Sequence, residues 1–408
     1  MTASFRALRH PNYRIIFTAQ LISMVGTWMQ IVAQGWLVYR LTHNPAMLGL
    51  VTFASQGPAF LLTGFGGAVA DRMDARKLAL LSQSTLLLQA ALLGILTVTH
   101  HVGVHQVLLL AVLMGVATAF DTPTFQVLVA RSVPREDLPN AIALNSGIFH
   151  SSRILGPALA GVVVAAFGEG WCFLLNALSY VAVLVGLSFL RLPPKPHAAE
   201  KQSMKQELLE GLRYVNGSPA IRRGLALAGL ITFLAMPYTV LMPAVVRDNL
   251  RLGARELGWI MGVGGVGATL GALRLALQKD ARRLPRNLLM ALGGVMIFLP
   301  LFAASRWLWL SMLLIVPLGF SMVSANTSNN TLVQLAVPDH LRGRIMAIYA
   351  TVFMAGLPLG ALATGFLARH IGISWALSLG ALGCGLVIVA FGRGWKRQET
   401  ATPPGSAV

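Results

Sequence analysis

Two ionisable side chains, Asp121 and Arg153, stand deep inside long apolar stretches of this 408-residue chain. A charge in such a stretch is expensive unless it is paired or used, so each is a candidate functional group. The polar turn at Glu136 lies between them. Asp121 precedes that turn and Arg153 follows it at nearly equal spacing, so at ~1.5 Å rise per residue both fall roughly 22–26 Å along neighbouring antiparallel helices. Similar depth predicts a direct or water-bridged ion pair. A cycle that separates the pair would load and unload a proton. A static structural pair is the other reading.

Two uncharged stripes join them. Gln20, Ser23, Thr27, Gln30 and Gln34 recur at spacings of 3, 4, 3 and 4, and Asn326, Asn330 and Gln334 recur every fourth residue. Such spacing puts each set on one helix face, so one stripe of each helix avoids lipid and faces water or protein. Cavity walls and interhelical hydrogen bonds both fit the pattern; for the two stripes together the cavity is preferred. Tyr238, between Pro237 and Pro243, is placed either at a gate or in a kinked packing contact. His100, His101 and His105 cluster in one short gap and read as an ordinary interfacial loop rather than a metal site.

The elements that must position these groups are apolar runs of membrane-spanning length. Twelve are legible, at about 15–38, 46–70, 78–98, 104–129, 141–167, 171–190, 225–246, 257–277, 288–304, 309–334, 345–368 and 373–391. Roughly 17–25 apolar residues suffice for a helix to cross ~30 Å of hydrocarbon. Of the 32 lysines and arginines, 24 fall in the two tails and alternate gaps, only 6 in the remaining gaps, and two, Arg153 and Arg274, within runs. By the positive-inside rule both termini are cytoplasmic and the number of spans is even. The chain is 55% hydrophobic and 11% charged, too poor in polar residues for a soluble protein of this size. Its net charge of +18 sits beside helix ends, which points to anionic inner-leaflet headgroups rather than nucleic acid as partners. Cys172 and Cys384 both lie in or beside apolar runs and form no disulfide framework. The first run is too long for a signal-peptide core and reads as an uncleaved span.

The chain repeats itself at about half its length. Asp74-Ala75-Arg76-Lys77 recurs as Asp280-Ala281-Arg282-Arg283, and Val133-Pro134 recurs as Val337-Pro338. Six runs and six runs related by duplication are the signature of a transporter with its substrate site near the midplane. The expected organisation is an all-α membrane protein of two six-helix bundles, residues 1–190 and 224–392. A cytoplasmic linker, 191–223, would join them, and a disordered cytoplasmic tail, 393–408, would follow. Within the linker, Ser203 and Gln206 form a capping box, and Met204, Leu208, Leu212 and Val215 recur at helical spacing. That predicts an amphipathic helix on the cytoplasmic membrane surface.

Gly67-Ala68-Val69-Ala70-Asp71-Arg72-Met73-Asp74-Ala75-Arg76-Lys77 resembles the loop signature of the major facilitator superfamily, matching at Gly67, Ala70, Asp71, Arg72, Arg76 and Lys77. Asp74 stands where glycine is usual and Ala75 where an arginine is usual. The resemblance implies a gating loop that locks the cytoplasmic side of the outward-open state, with Arg76 a substitute for the arginine absent at 75. Gly147, Gly156, Pro157 and Gly161 resemble the superfamily's exporter signature in its fifth helix, with Ser152 and Ala160 at positions where glycine is common. Asn12-Tyr13-Arg14, Gly26-Thr27-Trp28-Met29-Gln30, Val133 to Ala141 and Asn145-Ser146 are similar to the branch containing siderophore exporters and small-molecule efflux proteins. Members of that branch commonly carry Asp-x-Pro-x-Arg in the fourth helix; here Asp121-Thr122-Pro123-Thr124-Phe125 lacks the arginine.

Residues and resemblance together point to a twelve-helix exporter in the cytoplasmic (inner) membrane. It is expected to be monomeric and to move a small organic molecule outward in exchange for protons, without cofactor or metal. The resemblance implies that helices 1, 4, 7 and 10 line the cavity. An ATP-driven pump is disfavoured because no Gly-x-x-x-x-Gly-Lys-Ser/Thr phosphate loop occurs, and no constellation for a membrane enzyme is present. An importer of the same fold and a transport-silent membrane sensor remain as alternatives.

Overall fold

The computed structural model describes residues 3–191, 204–278 and 280–399. Among these the regular structure is entirely helical. The first six helices are α1 (Pro11–Thr42), α2 (Pro45–Arg72), α3 (Ala75–Val98), α4 (Val104–Ser132), α5 (Leu138–Phe167) and α6 (Glu169–Phe189). The rest are α7 (Met204–Gly217), α8 (Pro219–Leu234), α9 (Tyr238–Ala244), α10 (Ala254–Ala276), α11 (Leu284–Ala304), α12 (Leu308–Ala336), α13 (Arg342–Ile371) and α14 (Ile373–Glu399). Among the described residues, eleven candidate spans are long and apolar enough to cross a membrane, with α8, α9 and the π-turn Val245–Asn249 forming one of them. In α14 the described apolar part, Ile373–Leu386, is shorter than a full span.

Local chemistry sets the helix boundaries. Pro11, Pro45 and Pro219 occupy first-turn positions, where a missing N–H costs nothing. Asp74, one of the two residues that depart from the loop signature, is the N-cap of α3 and accepts from the Arg76 and Lys77 amides at 2.8 and 3.1 Å. Its repeat partner Asp280 accepts from the Arg282 amide at 3.0 Å. The internal duplication reappears at two sharp corners: Gly168 (φ 89°, ψ 169°) links α5 to α6, and Gly372 (φ 86°, ψ 156°) links α13 to α14. That conformation is open essentially to glycine alone. The two corners are separated by the same offset as the Val133-Pro134 and Val337-Pro338 match.

The chain divides into two compact units. One comprises residues Met1–Ala199 and Thr239–Gly265, the other Glu200–Tyr238 and Val266–Val408. Residues 239–265 therefore group with the first six helices, although the repeat places them in the second half of the chain. The contacts that hold them are specific. Pro243 lies against Gly35 of α1, Tyr39 Oη donates to Asp248, and the Arg247 guanidinium sits 5.9 Å from the Trp36 ring centroid.

At the α4–α5 end of the first unit, the residues that carry the siderophore-exporter resemblance pin the chain start. Tyr13 Oη donates to the Ala141 carbonyl at 2.9 Å and to Asn145 at 3.0 Å, and the Ala7 amide donates to Asn140 at 3.0 Å. Asp137 receives His10 at 2.8 Å and Arg6 at 3.5 Å. In the second unit the amphipathic helix α7 is docked on protein. Val215 joins the apolar cluster of Ile221, Leu225, Val333 and Ile345, and Glu210 pairs with Arg344 of α13 at 2.5 Å. Leu209 and Leu212 remain exposed. The capping serine at 203 and the 400–408 stretch lie outside the described residues.

Candidate coupling and substrate site

Asp121 is positioned by a proline. Pro123 has no N–H and leaves the Ala119 carbonyl without its helical partner, and on that turn α2 approaches so closely that a Cβ on Gly66 would collide with the Ala119 oxygen. The carboxylate, on this turn, points at α3. Ser82 Oγ and Gln83 Nε2 both donate to its Oδ1, at 2.7 and 2.9 Å. Ser82 and Gln83 are themselves buried. Gln83 Oε1, the other half of the same amide, is buried without a hydrogen-bond partner.

The expected ion pair with Arg153 is not formed directly: Arg153 has no hydrogen bond or ion pair among the described residues. The reason is geometric. Measured from Ser132 at the end of α4 and from Leu138 at the start of α5, Asp121 is the shallower of the two. At ~1.5 Å per residue they sit at depths of about 16 and 22 Å. Moreover, α4 packs on α2 and α3, whereas α5 packs on α1 and α6. Similar spacing from a turn constrains depth only approximately, and it says nothing of the direction a side chain takes around the helix.

The α1 stripe divides in the structure. Gln30 is fully buried and held at both ends, donating to Gln89 Oε1 at 3.0 Å and accepting from Asn176 Nδ2 at 2.7 Å. Thr27 meets Tyr180 Oη at 3.2 Å, and Gln34 is buried. In this conformation Gln30 and Thr27 thus serve interhelical hydrogen bonds, because α3 and α6 supply complementary amides and a phenol. Gln20 is half-buried. In α12, Asn330 accepts from Gln334 at 2.6 Å on an exposed surface, and Asn326 Oδ1 is buried without a partner. Tyr238 is 5% exposed. Sequence pattern alone does not single out Ser82, Gln83 or Gln89. For α6 a signal is visible: Asn176, Ser179 and Tyr180 stand at helical spacing in an otherwise apolar run.

The helix 5 signature acts in two directions. Gly156 faces α1, where a Cβ would strike Trp28. Gly161 faces α10: a Cβ there would lie 2.9 Å from both the Arg255 oxygen and the Gly258 Cα, while one on Gly258 would lie 2.6 Å from the Pro157 oxygen. Gly147 has open space around it. In the gating-loop signature, Gly67 is also open and Arg72 is exposed. Arg76 donates to the Leu187 and Ser188 carbonyls at 2.8 and 2.5 Å, closing the end of α6. Lys77 contributes its amide to the Asp74 cap. Asp71 occupies the last turn of α2; its side chain lies outside the described residues.

At the far end of α1 and α5 is a cavity of about 630 Å³ lined by Trp36, Arg40, His100, Glu169, Arg255 and Glu256. Arg40 grips Glu169 with two bonds, 2.7 and 3.3 Å, the glutamate side chain being 8% exposed and the arginine 43%. Arg40→Met would leave a nearly buried carboxylate unpaired. Because the arginine is half in solvent, the expected cost is about 1–2 kcal/mol rather than that of a fully buried pair. Thermal unfolding in detergent should show the loss, and Glu169→Gln added to Arg40→Met should recover much of it.

The sequence matches the transmembrane secretion effector family over residues 2–399. It is 26% identical over 381 residues to the enterobactin exporter EntS of Shigella boydii, covering 93% of this chain and 90% of that one. It is 29% identical over 398 residues to the multidrug efflux pump Tap of Mycolicibacterium fortuitum, covering 93% and 95%. Among solved structures, the nucleoside transporter NupG superposes with a TM-score of 0.71 at 15% identity, covering 94% of this chain and 99% of that one. A bacterial homologue of the iron transporter ferroportin gives 0.72 at 15%, covering 94% and 98%. These structural likenesses establish the fold, and the family match extends over nearly the whole sequence. The chain is a multi-pass membrane transporter of the major facilitator superfamily, not an enzyme, and belongs to the transmembrane secretion effector family.

Proposed function

We propose that this transporter exports a small organic molecule across the cytoplasmic membrane by alternating access, in exchange for protons carried by Asp121. The observation that carries the reading is the setting of that carboxylate, inside a membrane span with only neutral donors, Ser82 and Gln83, on it. A carboxylate at membrane depth with no cation beside it is costly as an anion, and taking up a proton removes the cost. Gln83 is suited to both states. Its Nε2 serves the anion, and its unpartnered Oε1 offers an acceptor for the proton of a neutral acid, the two together making a paired acid–amide ring.

Twelve spans with both termini cytoplasmic remain the topology that the lysine and arginine distribution supports, with anionic lipid headgroups against the basic gaps. Export is favoured over import by the helix 5 signature, whose Gly156 and Gly161 make close helix contacts, and by the exporters among the relatives. In this reading Gln20 and Arg153 belong to the substrate cavity of the first unit, and Tyr238, Asn326, Asn330 and Gln334 to that of the second. The protein acts as a monomer without cofactor.

Respiring inside-out vesicles carrying the protein test the proposal. A pH-sensitive dye should report proton release from the lumen when a transported siderophore or lipophilic drug is added. Movement of labelled substrate without proton release would remove the coupling. The absence of movement with any compound would favour the sensor reading.

A further inference from the structure

Arg153 is a cation without an anionic partner among the described residues. It sits midway along α5, and no carboxylate, carbonyl or hydroxyl of the described residues accepts from it. Nor does it lie over an aromatic ring among those residues. A guanidinium at membrane depth is costly unless it is paired or used. An arginine kept there without a protein anion is best satisfied by an anion that arrives.

The surroundings of Arg153 show where such an anion would enter. Ser146, Phe149, His150, Arg153, Pro157 and Gly161 fall on one face of α5 at helical spacing. Towards the end of the helix this face is shut: Pro157 and Gly161 are buried against neighbouring backbone. Towards the start it is open: Ser146 is exposed, Phe149 is 42% exposed, and a Cβ on Gly147 would meet nothing within 4 Å. The opposite face, with Leu155, Leu159 and Val162, is exposed and apolar, as a lipid-facing surface must be. Arg153 therefore stands where the open face ends. Pro157 reinforces the position, since its missing N–H leaves the Arg153 carbonyl outside the helical ladder and loosens that turn.

Apolar contact is supplied beside it. Trp28 of α1 packs against Gly156, one turn beyond Arg153, and meets Phe149, one turn before it, edge-on with centroids 5.8 Å apart. His150 follows at 5.6 Å from Phe149. The combination of a planar fork of N–H donors and two aromatic rings recognises a planar oxyanion joined to a flat apolar body.

We propose that Arg153, Trp28 and Phe149 form a subsite for an organic anion, a carboxylate or similar bidentate oxyanion on an aromatic framework. The proposal rests on the reading that this face of α5 lines the substrate cavity, and it names the substrate class. It also supplies a cation where the fourth-helix pattern lacks one: position 125 is phenylalanine, and position 153 carries the charge instead.

The test is equilibrium binding to the purified full-length protein in lipid nanodiscs, with three probes of one shape: 2-naphthoate, 2-naphthylmethanol and 2-naphthylmethylamine. The anion should bind about 10-fold or more tightly than the alcohol, the margin expected of a charge-assisted bidentate contact, and the amine more weakly still. Arg153→Gln should abolish the anion's advantage while leaving the alcohol unchanged. Arg153→Lys, which keeps the charge and loses the fork, should retain part of it, and covers the case in which the glutamine variant does not fold. Equal binding of anion and alcohol to the unmodified protein overturns the proposal, as does an anion preference that survives Arg153→Gln. The vesicle assay separates this outcome from failure of the export reading. Selective naphthoate binding without transport of any compound removes export and leaves the subsite. Proton-coupled export of neutral compounds, with no anion preference in binding, removes the subsite and leaves export.

Discussion

Asp121→Asn is expected to abolish substrate-driven proton release in inside-out vesicles while leaving the protein inserted and folded. Asparagine has the shape of a protonated aspartic acid. Its oxygen can receive the Ser82 and Gln83 donors that now serve Oδ1, and its own N–H can meet the buried Gln83 Oε1 that has no partner. The variant thus keeps the packing of the neutral state but cannot release a proton. Net proton-coupled transport should fall by at least ~10²-fold, the scale typical of losing an essential acid–base group. Thermal stability in detergent should be unchanged or higher, because a costly intramembrane charge is gone. Substrate exchange that needs no net proton movement should persist, so labelled substrate on both sides of the membrane still equilibrates. Full proton release by Asp121→Asn would make the carboxylate structural. Gln83→Leu is the companion variant. It removes both halves of the amide, and a loss of proton release there, with Asp121 intact, would tie the coupling to the pair rather than to the charge alone.

The contrast between Asp121 and its expected partner shows what a membrane sequence carries. Depth along a helix follows from counting residues, and hydropathy, charge segregation and repeats all report on that coordinate. The corners at Gly168 and Gly372 and the caps at Asp74 and Asp280 lie where the repeat offset puts them. Azimuth is a different matter. Which neighbour a side chain faces depends on which helices pack together, and matched depth suggests α5 where packing supplies α3. Gln30 repeats the lesson: a polar residue at helical spacing must find polar company, but Gln89 and Asn176 provide it from two non-adjacent helices. The α7 helix is legible from its period, whereas its docking is not, because the Arg344 that pairs with Glu210 stands far along the chain in α13. Residues 239–265 are the largest instance. The duplication assigns them to the second half, yet Gly35, Tyr39 and Gly161 hold them to the first unit, through close approaches that only the folded chain displays.

Those close approaches permit a covalent test of the cycle. A Cβ on Gly262 would lie 3.7 Å from the Ala158 Cβ, inside the range of about 3.5–4.5 Å that disulfides span. Ala158→Cys with Gly262→Cys should therefore cross-link α5 to α10 under mild oxidation. The two native cysteines, Cys172 and Cys384, are free and buried, so they offer little competition. If alternating access requires this contact to open, the oxidised protein should transport at the background rate, and reductant should restore activity. Either single-cysteine variant should be indifferent to oxidation. Gly258→Val approaches the contact from the other side: its Cβ would lie 2.6 Å from the Pro157 oxygen, and the bulk should keep the helices apart. Overpacking of this kind costs about 1–3 kcal/mol, enough to shift a two-state equilibrium by roughly one to two orders of magnitude. The two variants thus bias the same contact in opposite directions, the disulfide towards closed and the valine towards open, and under the proposed alternating access transport should be slowed by each. A cross-linked protein that transports at full rate would show that α5 and α10 move as one body, and the opening would then have to be sought elsewhere along the helices.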